Sequence, residues 1–223
     1  MKKVITLILV ISVLCTFVSC GTKDQYISSS EDKYLPIQAP FNSLSIRSSE
    51  EGVEDFLKLL GDYKRGYENE KCYNITPTFV SDNSEYKIFK FEKSCASFLQ
   101  FDGLTYQLGG SFGGYGVTSL ALADMNRDGQ YELYFTYSYG SGIHRAQVGY
   151  FDPAQKQVLV FDKTYKKSDC ILTLDSDNNL SNNRAKIHLQ DFVNFDITAD
   201  DELGTIKYRN NKIQYIEYTE VND

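Results

Sequence analysis

The densest chemistry in the sequence is the stretch DMNRDGQYE, from Asp124 to Glu132. Oxygen-bearing side chains stand at its first, third, fifth and ninth places, as Asp124, Asn126, Asp128 and Glu132, and Gly129 holds the sixth. Calcium takes six to eight oxygens at about 2.3–2.6 Å, so a loop that holds it must turn several oxygens inward within a few residues. Alternate side chains at 124, 126 and 128 can do this while Gly129 permits a sharp bend. A backbone carbonyl near Gln130 and the Glu132 carboxylate would complete the shell. On this reading the ion is Ca2+ and its role is structural, pinning a long hairpin. The bland alternative is a polar hairpin turn with surface carboxylates, and the residues alone leave both readings open.

Two glycine-rich stretches flank the loop, LGGSFGGYG from Leu108 to Gly116 and YGSGIHR from Tyr139 to Arg145. Glycines beside aromatics mark places where backbone or ligand approaches closely. One reading is a shared groove, with Phe112, Tyr115 and Tyr139 as flat surfaces for a glycan or protein ligand and His144 and Arg145 as polar contacts. The other is glycine-permitted turns over core aromatics. The first stretch lacks the Gly-Lys-Ser/Thr ending of a phosphate loop. His144 and His188 are the only histidines, with no His-x-x-x-His or His-Glu pairing for zinc. Ser141 sits in Gly-Ser-Gly, which is not the nucleophile elbow of a serine hydrolase. No catalytic residues are assigned.

The elements that must carry these residues are mostly strands. Tyr131, Leu133, Phe135, Tyr137 and Tyr139 alternate at a period of two, so the loop joins two strands. Further strands are expected at Ile75–Val80, Tyr86–Phe91, Ser97–Phe101, Ala146–Phe151, Gln157–Phe161, Cys170–Leu174, Ala185–Leu189, Asp191–Ile197, Thr205–Tyr208 and Ile213–Tyr218. Asp102-Gly103 and Asn210-Asn211 are expected as tight turns. One helix is expected, over 48–67: Ser48 and Glu51 have capping-box spacing, and Val53, Phe56, Leu57, Leu60 and Tyr63 form one apolar stripe. The expected fold is mainly β (α+β), with antiparallel sheets and this single N-terminal helix packed on them.

The loop from Asp124 to Leu133 resembles the D-x-[DN]-x-D-G-x-x-[DE]-L calcium loop of FG-GAP repeats, the blades of integrin-type propellers. The resemblance implies Asp124, Asn126, Asp128 and Glu132 as ligands, with Glu132 standing where the family more often has Asp. It does not extend to the architecture. A propeller needs at least four blades, and only one copy occurs; Asp175 to Asn179 begins similarly but lacks the glycine and the closing acid. The loop is not an EF-hand either, since place 12 is Phe135 and the flanks are strands.

The N-terminus, MKKVITLILVISVLCTFVSC, has a charged start and an apolar run from Val4 to Val18. That run is short for a membrane span, which needs about 20 residues, and fits a signal peptide. Phe17-Val18-Ser19-Cys20 resembles a bacterial lipobox, with Phe where the family usually has Leu. The resemblance implies a signal peptide over 1–19, cleavage before Cys20 and diacylglycerol on its sulfur. A spacer would cover 20–47, some of it able to pack through Tyr34, Leu35, Ile37 and Phe41, and one β-rich domain would cover 48–223. The protein would then sit lipid-anchored on the extracytoplasmic face of the bacterial envelope, since two acyl chains hold a protein stably where one does not.

With Cys20 acylated and Cys15 removed, Cys72, Cys95 and Cys170 remain. Export permits disulfides, and Cys72 and Cys95 flank two expected strands, so these two form a candidate bridge. The chain has a net charge of −7 and no basic run, so it offers no electrostatic footprint for nucleic acid. Its 17 Tyr and 14 Phe favour strands. The functional expectation is a calcium-stabilised, membrane-tethered binding or structural module; the alternative is a surface hydrolase acting on a wall or extracellular polymer.

Overall fold

The computed structural model describes residues 35–61, 66–110 and 113–218. The signal segment, Cys20, Tyr34, Tyr63 and Phe112 lie outside the described residues. The described chain from Leu35 onward belongs to one compact unit.

Three antiparallel sheets build the fold. β1 (Ser43–Ile46) is followed by α1 (Val53–Leu59), β2 (Cys72–Asn74), α2 (Thr78–Asn83), β3 (Lys87–Phe91), β4 (Ser97–Phe101) and β5 (Leu104–Leu108). Strands β2 to β5 form the first sheet in sequence order. β6 (Gly116–Ala123), β7 (Glu132–Tyr139), β8 (Arg145–Asp152) and β9 (Gln157–Lys166) form the second, also in sequence order. The third contains β10 (Asp169–Leu174), β11 (Leu180–Leu189), β12 (Phe195–Arg209) and β13 (Lys212–Glu217). Its order is β1-β12-β11-β10; β1 pairs with the first part of β12 and β13 with the last part. The protein is mainly β, with neither a closed barrel nor a propeller among the described residues.

The central sheet is buried on both faces. Leu133, Phe135 and Tyr137 of β7 join Leu120 and Leu122 of β6 in the main core, facing Ile88 and Leu99 of the first sheet and Ile46, Phe195 and Ile197 of the third. Tyr134 alternates to the other face, where Ala121, Ala123 and Val148 meet Leu172, Leu180 and Ile206. On that face the Thr118 and Thr136 hydroxyls lie 2.9 Å apart, Thr136 donates to the Cys170 carbonyl at 2.9 Å, Thr118 donates to Thr136, and Ser119 accepts from the Leu172 amide. Polar residues in the middle of an apolar pair of strands thus stitch two sheets together.

The apolar stripe of the expected helix packs as expected: Phe56 stacks on Phe89 with ring centroids 4.2 Å apart, and Leu60 joins it against Phe91 and Phe98. The capping box is not made. The amide and hydroxyl of Ser48 both donate to Asn194 Oδ1, at 2.8 and 3.1 Å, and the helix starts after Gly52, which adopts φ +72°. A tertiary partner has taken the expected cap.

The strand expected over Ile75–Val80 is instead the approach to a second helix. Pro77 has no N–H to give a ladder and its φ of −66° suits a helix start, so α2 begins at Thr78 and buries Val80. The strand expected at Asp191–Ile197 begins only at Phe195, because the Asp191 carboxylate accepts the amides of Val193 and Asn194 in a turn. Thr205–Tyr208 then lies within the same long strand, β12. Both expected tight turns are present, with left-handed pairs Asp102-Gly103 (φ +49° and +68°) and Asn210-Asn211 (+53° and +58°).

The domain also starts before residue 48. Leu44 and Ile46 of β1 point into the core, and Gln38 bridges to Leu122 through two backbone hydrogen bonds of 2.8 Å. The described part of the expected spacer, residues 35–47, therefore includes structural elements, although Phe41 is exposed.

Candidate functional site

The loop between β6 and β7 is folded around its own carboxylates. Asp124, at the end of β6 and 1% exposed, accepts the amides of Asp128 through Oδ1 (3.0 Å) and Gly129 through Oδ2 (3.1 Å). Asn126 Oδ1 accepts the Asp128 amide at 2.9 Å, and its Nδ2 donates to Asp128 Oδ2 at 3.0 Å. Asp128 Oδ1 accepts the Gln130 amide at 2.9 Å. Gly129 (φ +83°) and Arg127 (φ +61°) supply the left-handed conformations of the bend. The loop is fastened on its outer side by Tyr131, whose hydroxyl donates to the Pro36 carbonyl at 2.7 Å and whose own carbonyl accepts from the Tyr86 hydroxyl.

Glu132 is the unusual member. It opens β7, is fully buried, and accepts the Met125 amide through Oε2 at 2.9 Å, while Oε1 has no hydrogen-bond partner. Burial pushes its carboxyl up to about 8, against the Met125 hydrogen bond and with further repulsion from Asp128, Asp124 and Asp152. A buried polar atom without a partner calls for an explanation.

Asp124, Asn126, Asp128 and Glu132 thus lie in one loop and offer oxygen donors, the set a hard cation takes. Among the described residues, however, no three His, Cys, Asp or Glu side chains gather as a group that could hold a metal ion. In this conformation the Asx hydrogen bonds also suffice to shape a turn. The residues fit the chemistry of calcium, and the unpartnered Glu132 oxygen is the feature that a turn alone does not use.

Of the candidate groove's described members, Tyr115 and His144 meet, and Tyr139 and Arg145 are register partners across β7 and β8. The Tyr115 ring meets His144 edge-on at 4.6 Å between centroids, and His144 Nδ1 lies 3.6 Å from Asp169 Oδ2. Tyr139 instead stacks on Tyr137 at 5.4 Å and packs against the main core. Arg145 Nη1 reaches back to the Ile143 carbonyl at 3.5 Å. The glycines serve backbone approach. A Cβ on Gly114 would lie 2.5 Å from Tyr139 Cα, and one on Gly113 would lie 2.9 Å from the Gly140 carbonyl.

The candidate bridge between Cys72 and Cys95 is not formed; Cys72, Cys95 and Cys170 are buried free thiols. Cys72 packs with Phe56, Phe91 and Phe98 on the α1 side of the first sheet. Cys95 interacts with Lys90, which alternates to the other face of β3. Burial pushes the Cys72 and Cys170 thiols up to about 12, the reverse of an activated nucleophile.

Lys90 itself escaped the sequence reading. It is fully buried, its Nζ has no hydrogen-bond partner, and it sits 4.9 Å from the centre of the Phe195 ring. Burial lowers its amine to about 8. The only signal was a lysine inside the apolar run IFKF.

Comparison with protein-family models, with curated proteins and with solved structures finds no match to this chain. No helix among the described residues is long and apolar enough to cross a membrane.

Proposed function

We propose that this chain is a membrane-tethered, calcium-stabilised surface lipoprotein of the bacterial envelope, acting as a binding or structural module and not by turnover. The observation that carries the calcium assignment is Glu132, a fully buried carboxylate with one unpartnered oxygen in the loop shared with Asp124 and Asp128. Asp124, Asn126, Asp128 and Glu132 would hold the ion, which would supply the positive charge that three neighbouring acids need. The tether rests on the resemblance of Phe17–Cys20 to a lipobox.

The test is a calcium titration of the full chain in detergent, by calorimetry and thermal melting, beside Asp124→Ala/Asp128→Ala. We expect saturable binding with Kd of about 10⁻⁴–10⁻³ M, typical of extracellular modules. Calcium at tenfold that concentration then adds about 1.4 kcal/mol of stability. Both effects should vanish in the double variant. Absence of binding at millimolar calcium would reduce the loop to a turn. Mass spectrometry of the mature N-terminus, with Cys20→Ala as control, tests the anchor separately.

A further inference from the structure

We propose that the concavity beside the ion loop is a binding site for a short uncharged saccharide. It encloses about 450 Å³, within the range of about 300–1,000 Å³ usual for small-ligand pockets. Three segments far apart in sequence supply its polar lining: Asn126 from the ion loop, Asn178 and Asn179 from the β10–β11 turn, and Tyr208 from β12. Met125 and Ile206 give it an apolar part. The β10–β11 turn is the Asp175–Asn179 stretch that begins like the ion loop. Here the Asp175 carboxylate accepts the amides of Asp177 and Asn179, each at 2.8 Å, and the side-chain amide of Asn179 at 2.9 Å. That turn holds Asn178 in a left-handed conformation (φ +58°) at the cavity wall.

The charges around the cavity argue against an ionic ligand. Lys207 lines it but faces the Asp175 carboxylate, and Arg127 at the loop tip is engaged as well. Neither cation is spare, and no carboxylate lines the cavity among the described residues, so the three carboxamides set its chemistry. A carboxamide has two donor hydrogens and two acceptor lone pairs. Asn126 Nδ2 gives one hydrogen to Asp128 and keeps the other, and Asn179 commits its Nδ2 to Asp175 but not its Oδ1. Asn178 makes no side-chain hydrogen bond among the described residues. Donors and acceptors set close together match adjacent sugar hydroxyls, each of which also donates and accepts. Tyr208 is 41% exposed and offers a ring face for the apolar C–H face of a sugar. By contrast, a larger concavity between β9 and β12–β13 is spanned by its own ion pairs, Lys163 with Glu217 and Arg184 with Asp201. The inference rests on the binding-module reading and not on its ion, because the Asp124 and Asn126 hydrogen bonds shape the loop by themselves.

The experiment is calorimetry of the full chain in chelator, in a detergent without a sugar headgroup, against maltotriose, cellotriose, mannotriose and galactotriose. We expect saturable binding of at least one of them. Asn178→Gly keeps the left-handed backbone and removes the carboxamide, and should weaken that binding about tenfold, as for loss of one hydrogen bond. Tyr208→Ala should weaken it by a similar factor, with thermal melting to check that each variant folds. No binding of any of the four would overturn this inference and leave the calcium reading, which is titrated separately, standing. So would unchanged affinity in the folded Asn178→Gly variant, tighter binding of tri-galacturonic acid, or equal competition by a tri-alanine peptide.

Discussion

Glu132→Gln offers the sharpest separation of an ion site from a turn. In calcium-free protein the Glu132 carboxyl is raised from 4.5 to about 8, chiefly by burial. A group whose folded value is raised binds its proton more tightly in the native state. Its contribution is therefore complete below about pH 4.5 and is lost as pH rises through about pH 8. The loss is about 1.4 kcal/mol per pH unit across that window, on the order of 4 kcal/mol between about pH 5 and about pH 8. Glutamine keeps an oxygen to accept the Met125 amide and carries no charge, so the variant should lack this slope. We expect urea melts in chelator to show wild-type stability falling relative to Glu132→Gln across this range. Saturating calcium should remove most of the fall for the wild type and change nothing for the variant. Parallel pH profiles in chelator would refute the argument that the carboxylate is held at an energetic cost. A fall that calcium does not relieve would refute its use as a ligand.

Lys90→Met probes the opposite sign. Its amine is lowered from 10.5 to about 8 by burial, so stability is lost as pH falls from about pH 10.5 to about pH 8. The variant should be more stable than wild type at about pH 7, by on the order of 1–3 kcal/mol, and the difference should close towards about pH 10. A constant difference would show that packing, not charge, sets it. Gly114→Ala should destabilise by more than about 2 kcal/mol, since its Cβ would fall on the Tyr139 backbone, whereas Gly129→Ala, with nothing within 4 Å, should cost only about 1 kcal/mol. Comparable urea midpoints for the two would contradict the close approach. Cys72, Cys95 and Cys170 should resist alkylation in native buffer and react together on unfolding; a native Cys72–Cys95 cross-link in non-reducing peptide maps would overturn their assignment as free thiols.

The sequence was most legible where local chemistry and tertiary structure agree. The two left-handed turns, the β6–β7 hairpin and the Phe56 stripe depend on patterns within a few residues, and each is found where the pattern puts it. The errors arise where a distant residue competes. Ser48 could not be seen to prefer Asn194, which lies 146 positions away. The segment around Pro77 is a local exception, since the proline removes a ladder donor and starts α2 within the stretch itself. The two-sided burial of β6 and β7 has no local signal, because the partners of the buried Ser119 and Thr136 are backbone groups of Leu172 and Cys170, far along the chain. Within the candidate sites, the ion loop is contiguous and could be read directly. The groove could not, because glycines signalled a close approach without saying that the partner was backbone.

The segment from Pro36 to Gln38 grips both strands of the hairpin that carries the ion loop, Pro36 through the Tyr131 hydroxyl and Gln38 through the Leu122 backbone. Along the described chain, load passed on from Leu35 therefore meets these hydrogen bonds before it reaches β1. Tension would be carried in hydrogen bonds at Leu122, two residues before Asp124, and at Tyr131, next to Glu132. Leu122 and Tyr131, which bear that load, flank the residues that shape the loop, so stiffening the loop would raise the force needed to peel the segment away.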